Sequence, residues 1–342
     1  MSYQYDSYGI AREYIPKRRT ERRVYDLLFG TAATPGTHQA RCHVCGRSRQ
    51  VTRTDFWLHP SHPKIWGFGG PNKLRKITSA ARVLPDFAII GAPKSGTTYM
   101  YSLLGTHPHV VPALTKEIDY FSDMRARRFG PLWYRSNFPS VPHMCYLSKK
   151  YGARMVCGEA STSYLFHPFA PKYMRETLPD VRLLVMLRNP VDRAYSDYNM
   201  WLRYGMESLG FEDAVRLEPE RTSEDRERVM SDSSHRWFGF YRFSYLGKGV
   251  YADQLENWFR YYDRSRFLIT TTEAMRADPQ GSLDDALGFL GLAPFQADVS
   301  KKLNVGSYKE MSPRTRDELL DYFRPHNERL YRLLGRRFDW DR

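Results

Sequence analysis

Within eight residues the chain sets Gly91, Lys94, Ser95, Gly96, Thr97 and Thr98. These types and spacings suit the holding of a phosphate group. The stretch DFAIIGAPKSGTTYMYSLLGTHP (86–108) begins as an apolar strand, breaks at glycine and restarts with helical periodicity. A nucleoside-triphosphate loop reads G-x-x-x-x-G-K-[ST]. Here the two glycines and the final hydroxyl fit, but Thr97 stands where the lysine belongs and Lys94 lies three residues earlier. The usual lysine reaches the β- and γ-phosphates, so this loop is poorly equipped for a triphosphate. Backbone N–H groups at a helix start still hold one phosphate, and Lys94 leans over the next group along. The plainer reading is a strand-to-helix turn that needs small residues. A strand, two glycines, an internal lysine and paired threonines favour anion binding.

A second constellation follows in LLVMLRNPVDRAYSDYNMW (183–201), an apolar strand ending in Arg188 and a helix carrying Ser196. Taken with it, PKSGTT resembles the 5′-phosphosulfate loop of sulfotransferases that use 3′-phosphoadenosine-5′-phosphosulfate (PAPS). The resemblance spans about 85–342 and is nearest the carbohydrate (heparan-sulfate-like) and bacterial members. It implies that Lys94, Ser95, Gly96, Thr97 and Thr98 bind the 5′-phosphosulfate and that Arg188 and Ser196 bind the 3′-phosphate. The physics agrees for Arg188, because a guanidinium offers phosphate a planar fork of charged donors. In such enzymes a late glycine- and lysine-containing loop closes over the nucleotide. NVGSYKEMS supplies the matching Gly306, Ser307, Tyr308 and Lys309. Alone, Arg188 reads as a surface ion pair, Ser196 as an ordinary helix serine and 306–309 as a connector.

Moving SO3 from a phosphate to a hydroxyl or amine requires a base for the acceptor proton and a cation at the leaving oxygen. Lys94 is the cation. Three groups compete as base. Glu117, in LTKEIDYFSD, matches the "KE…FF" segment that carries the catalytic glutamate of heparan-type members, and it is the choice the resemblance implies. Read plainly, Lys116 and Glu117 are a loop ion pair. Glu159, in CGEASTSY, sits at a strand end; heparan-type members show Glu-Lys there, whereas this chain has Ala160. His107 and His109 close the first helix, where a histidine is more often a cap, although cytosolic-type sulfotransferases use one. The implied acceptor is a glycan, glycolipid or small alcohol. No metal is required, since Lys94 and backbone dipoles carry the charge work.

These residues need elements to hold them. DFAIIGA, RMVCGEAS, VRLLVMLRN and RFLITTTE read as strands; GTTYMYSLLG, PVDRAYSDYNMWLRYG, VYADQLENWFRYY and SLDDALGFLG read as helices. Continuous apolar strands alternating with helices predict an α/β fold, a P-loop-type parallel sheet flanked by helices on both faces. In such sheets ligands sit beyond the carboxyl ends of the strands. Lys94, Glu159, Arg188 and Glu273 all come at or just after such an end. Ser312 is an expected N-cap before Pro313, Pro325 an expected kink or break, and Gly335 the end of the last helix.

Residues 1–84 read as an N-terminal extension and 85–342 as the α/β domain. The extension holds a basic patch (Lys17, Arg18, Arg19, Arg22, Arg23) and Cys42-x-x-Cys45 followed by His59-x-x-His62. That approaches a zinc pattern, but the histidine pair is tighter than usual; two reduced cysteines in a turn is the alternative. The chain has 342 residues, 42% hydrophobic and 26% charged, which supports a sizeable core. Its net charge of +14 favours an anionic ligand or partner. A kinase or NTPase is disfavoured by Thr97, and no nucleic-acid motif accompanies the charge. No apolar run reaches the ~20 residues of a membrane helix, no apolar signal core opens the chain, and four cysteines are few. Together these predict a cytoplasmic protein.

Overall fold

The computed structural model of the chain describes residues 38–41 and 48–51, as backbone, and residues 71–300 and 308–340. Strands β1 (His38–Arg41) and β2 (Ser48–Val51) form an antiparallel pair with His38 opposite Val51. A separate unit, Gly67–Met200 with Leu209–Arg342, holds everything else described below. Its centre is a five-stranded sheet of β3 (Phe87–Gly91), β4 (Val110–Pro112), β5 (Val156–Ala160), β6 (Arg182–Leu187) and β7 (Phe267–Thr271). The order is β4-β5-β3-β6-β7, and every neighbouring pair is parallel.

Parallel strands need covering on both faces, and the residue alternation shows how that is met. Phe87, Ile89, Leu184 and Met186 pack with Met100, Leu103 and Leu104 of the helix Thr97–Leu104 and with Leu283, Leu287 and Leu290 of the helix Pro279–Leu290. Ala88, Ile90, Leu183, Val185 and Leu187 face the other way. They meet Tyr251, Leu255 and Trp258 of the helix Tyr251–Phe259 and Leu330 and Tyr331 of the helix Pro313–Leu334. The expected α/β fold is what forms, and the four expected strands are β3, β5, β6 and β7. The sequence reading missed β4, a three-residue edge strand ending in Pro112, too short to leave a pattern.

One other expectation needs correction. The last helix runs unbroken through Pro325. Phe323 on one side of the proline and Asn327 and Leu330 on the other are buried, so core packing outweighs the missing N–H. Its ends behave as expected. The Ser312 hydroxyl accepts from the Thr315 N–H at 3.2 Å, and Gly335 closes the helix at φ 67°. The stretch just before residue 85 makes side-chain contacts with the α/β unit. Arg75 donates to the carbonyls of Ser136 (2.9 Å) and Phe138 (2.7 Å), and Arg82 donates to Phe138 at 2.8 Å. Residues 73–82 therefore pack on the α/β unit. Among the described residues no helix is long and apolar enough to cross a membrane.

β3 lies in the middle of the sheet, with β5 on one side and β6 on the other. The carboxyl ends of three adjacent strands thus meet around the segment 91–96. Gly158 of β5 lets this happen: a Cβ there would overlap the Phe87 ring of β3. Gly158→Ala should destabilise the domain by about 1–3 kcal/mol, the usual cost of overpacking a filled core. Urea unfolding followed by far-UV circular dichroism measures it; an unchanged midpoint would show that Phe87 turns aside at no cost.

Candidate active site

The segment after β3 is held open by backbone conformation. Lys94 has φ 70°, a left-handed geometry uncommon for a residue with a Cβ. Gly96 follows at φ 78°, a left-handed conformation that favours glycine, with the Met275 methyl packed against it. Gly96 is the N-cap of the helix Thr97–Leu104, and no side chain caps it. The first turn also lacks an acidic residue. The helix therefore presents uncapped N–H groups and an uncompensated positive dipole end. Ser95 is fully buried, and among the described residues its hydroxyl has no hydrogen-bond partner. A buried orphan donor beside uncapped amides fits an anion seated in the loop.

β6 delivers Arg188 to the same place. Its Nη1 donates to the Lys94 carbonyl at 3.1 Å, while its Nε is buried and without a partner among the described residues. Tyr251 holds the Arg188 carbonyl at 2.8 Å. The next residue, Asn189, accepts from the Val191 N–H at 3.0 Å and so starts the helix Pro190–Arg203, which carries Ser196. Ser196 is buried. Its neighbour Tyr195 donates to the Lys309 carbonyl at 2.8 Å and meets the Tyr308 ring edge-on at 5.5 Å. The described end of the late loop thus reaches the Ser196 helix. Gly306 and Ser307 lie outside the described residues, as do Cys42, Cys45, His59 and His62. Among the described residues no group of His, Cys, Asp or Glu is arranged to hold a metal ion.

Glu273 follows β7 as the sequence suggested, but its work is structural. It accepts from the Asn189 N–H at 3.1 Å and from the Trp340 indole at 3.3 Å, clamping the chain terminus behind Arg188. His107 is also a tie. Its Nδ1 accepts from the His109 N–H at 3.0 Å, so Nε2 carries the proton and donates to the Ala293 carbonyl at 3.2 Å. Burial holds its pKa below the ordinary value. It sits past the C-terminus of the helix Thr97–Leu104, one helix length (~12 Å of rise for eight residues) from the loop.

The acidic side of the site is built by β5 and the segment after β4. The Glu117 N–H donates to the Ala160 carbonyl at 2.8 Å, and the Glu117 carboxylate accepts from the Thr162 N–H at 2.8 Å. It also pairs with Lys116, and its side chain stays 29% exposed. Glu117 and Asp119 both have left-handed φ, 55° and 53°. Glu159 lies deeper and is fully buried. Ser161 donates to it at 2.8 Å, Tyr164 at 3.3 Å, and Tyr134 also donates. Burial pushes its pKa up to about 7 against the pull of those hydroxyls. The structure therefore separates the two glutamates: Glu117 is partly exposed, and Glu159 is sealed. The hydroxyls of Ser161, Thr162 and Ser163 that hold this side were missed. The run STS after Glu159 was the available signal.

A sulfotransferase domain family model matches residues 84–330. The chain is 26% identical over 335 residues to the membrane-associated sulfotransferase kil1 of Dictyostelium discoideum, covering 79% of this chain and 69% of that one. It is 28% identical over 310 residues to human heparan sulfate glucosamine 3-O-sulfotransferase 6, covering 82% and 78%. A human bifunctional heparan sulfate N-deacetylase/N-sulfotransferase 2 is 27% identical over 318 residues, but the match spans only a third of its length. A solved sulfotransferase from Alicyclobacillus acidocaldarius superposes with TM-score 0.56 at 29% identity, covering 76% of this chain and all of that one.

Glu159 gives the fold a pH dependence with a definite sign. An unfolded glutamate ionises near 4.5, whereas the folded one holds its proton until about 7. The stability it contributes is complete below pH 4.5 and is lost as pH rises through 7. Glu159→Gln cannot ionise and escapes that loss, while Glu218, also pushed to about 7 by burial, still contributes in both proteins. The variant should therefore gain on the wild type between pH 4.5 and 7.5 in urea unfolding. A constant gap across that range would mean Glu159 ionises in the fold as easily as in water.

Proposed function

The chain belongs to the sulfotransferase domain family and is a sulfotransferase, and from that premise we propose that it takes the sulfuryl group from PAPS and passes it to a carbohydrate hydroxyl. Support for the donor comes from the family and from one observation above all. Arg188 bonds the Lys94 carbonyl, so the phosphosulfate loop and the strand end expected at the 3′-phosphate form one surface. Support for the acceptor class comes from relatives whose names specify heparan sulfate.

In this reading the 5′-phosphosulfate lies on the amides and hydroxyls of Ser95, Gly96, Thr97 and Thr98. The 3′-phosphate lies on Arg188 and Ser196, and residues 306–309 close over the nucleotide, Tyr308 and Lys309 against the Ser196 helix. Glu117 accepts the proton of the acceptor hydroxyl as its oxygen forms a bond to sulfur. The bond from sulfur to the bridging oxygen breaks, and its electron pair stays on the 5′-phosphate. Lys94 and the helix N-terminus stabilise that growing charge. Glu117 suits its task because the Thr162 amide fixes the carboxylate while part of it stays open to solvent. Thr97, buried in the place of a triphosphate lysine, argues against an NTPase.

The assignments separate in binding and kinetics. Arg188→Ala should weaken adenosine 3′,5′-bisphosphate at least tenfold, since a charged hydrogen bond is worth about 1.5–3 kcal/mol. Adenosine 5′-phosphate should be nearly indifferent; equal losses in calorimetric titration would make Arg188 structural. Glu117→Gln should lower kcat by ~10²-fold or more with PAPS affinity little changed. Lys94→Ala should lower kcat and weaken PAPS together. A fully active Glu117→Gln enzyme, assayed by mass spectrometry of sulfated glycan, would reject Glu117 as the base.

A further inference from the structure

Eleven large hydrophobic side chains stand exposed among the described residues, and six of them belong to three helices that are tied to one another. Leu74 and Ile77 lie on the helix Lys73–Ile77, Phe129 and Leu132 at the start of the helix Gly130–Arg135, and Val141 and Tyr146 on the helix Val141–Tyr151. The ties are hydrogen bonds. Arg75 reaches the Ser136 and Phe138 carbonyls, in the segment that joins the second helix to the third. Arg135 donates to the Arg82 carbonyl, and the Val83 N–H donates to the Pro139 carbonyl at 3.0 Å. With Arg75 turned to that segment, Leu74 and Ile77, three residues apart, share the outer side at 67% and 81% exposure. Single exposed apolar residues are ordinary on any surface. Several gathered on joined elements mark a contact surface.

The charge carried by these elements has one sign. Residues 71–85 hold four Lys and Arg, residues 124–158 hold seven, and neither stretch contains an Asp or Glu. Arg75, Arg82 and Arg135 are engaged with backbone carbonyls, but Lys73, Lys76, Arg128 and Lys149 are exposed. The surface is therefore apolar and cationic together. A second copy of the chain meets it badly, because an isologous contact sets like charges against each other. A soluble anionic polymer would pair with the lysines but leave Leu74, Ile77 and Leu132 in water. An anionic bilayer answers both properties. Its headgroups face the ammonium and guanidinium groups, and its acyl boundary takes the apolar tips.

We propose that this face docks on an anionic lipid bilayer, with Leu74 and Ile77 entering the interface and Lys73 and Lys76 resting on the headgroups. The face adjoins the segment that carries Glu117. The Leu114 N–H, three residues before it, donates to the Asn137 carbonyl at 2.8 Å, and Leu114 is itself exposed. The inference is independent of which residue is the base and of what the acceptor is.

The test is co-sedimentation of the full chain with vesicles, either phosphatidylcholine alone or equal parts of phosphatidylcholine and phosphatidylglycerol. The wild type should sediment with the anionic vesicles and stay in solution with the neutral ones, and added salt should release it. Replacing both lysines, Lys73→Ala with Lys76→Ala, should weaken partitioning about 25-fold, roughly fivefold for each cation near the surface. Replacing both apolar residues, Leu74→Ser with Ile77→Ser, should weaken it by about tenfold or more. All four side chains are exposed, so urea midpoints and PAPS affinity should match the wild type. Residues 17–23 carry a basic patch of their own. Vesicle binding that survives both double variants therefore lies elsewhere in the chain and overturns the inference. Loss in the lysine pair with full binding in the serine pair leaves a merely ionic surface and also overturns it. So does a wild type that ignores vesicles while the serine pair lowers the urea midpoint, which would show that another part of this chain covers the face.

Discussion

The hydrogen bond from Arg188 to the Lys94 carbonyl is the constraint on which the site depends. It joins the ends of β3 and β6, two adjacent parallel strands whose chain positions lie 94 residues apart. It holds the carbonyl of the left-handed turn at Lys94 and fixes the fork of Arg188. Each partner is fixed from behind. Gly96 packs against Met275, the Arg188 carbonyl is held by Tyr251, and Asn189 is clamped by Glu273 and Trp340. The core on both sheet faces serves this arrangement. It fixes the strand ends within the small tolerance that charge-assisted recognition of a phosphate demands.

Three carboxylates gather at the end of β5. Glu117 is partly open, Asp119 is half-buried, and Glu159 is sealed among hydroxyls. Desolvation raises the cost of charge at Asp119 and Glu159. The inner two are carried on Ser161, Ser163, Tyr134 and Tyr164, which satisfy oxygen atoms that would otherwise be left bare. A similar economy of charge appears away from the site. Asp197 is buried between Arg193 and Lys248 and pairs with both.

The parts legible in the sequence were those written locally. Strand β3 and the glycines after it announce a turn because only their own backbone is involved. Strands β5, β6 and β7 are legible as continuous apolar runs because both their faces are covered. The edge strand β4 was not, since three residues ending in proline carry no period. The unbroken helix across Pro325 was not, because the burial of Phe323 and Leu330 that holds it depends on elements distant in the chain.

By itself the sequence determined the fold class, the glycine-containing loop with its displaced lysine, and the strand end that carries Arg188. Glycine conformation, strand hydrophobicity and motif spacing are properties of neighbouring residues, and a string displays them. Only the tertiary structure decided which glutamate is partly exposed and that His107 and Glu273 are ties. Each of those turns on burial and on partners 40 or more residues away, such as Thr162 for Glu117, Ala293 for His107 and Asn189 for Glu273. A carboxylate or imidazole is defined by what surrounds it, and its surroundings exist only once the chain has folded.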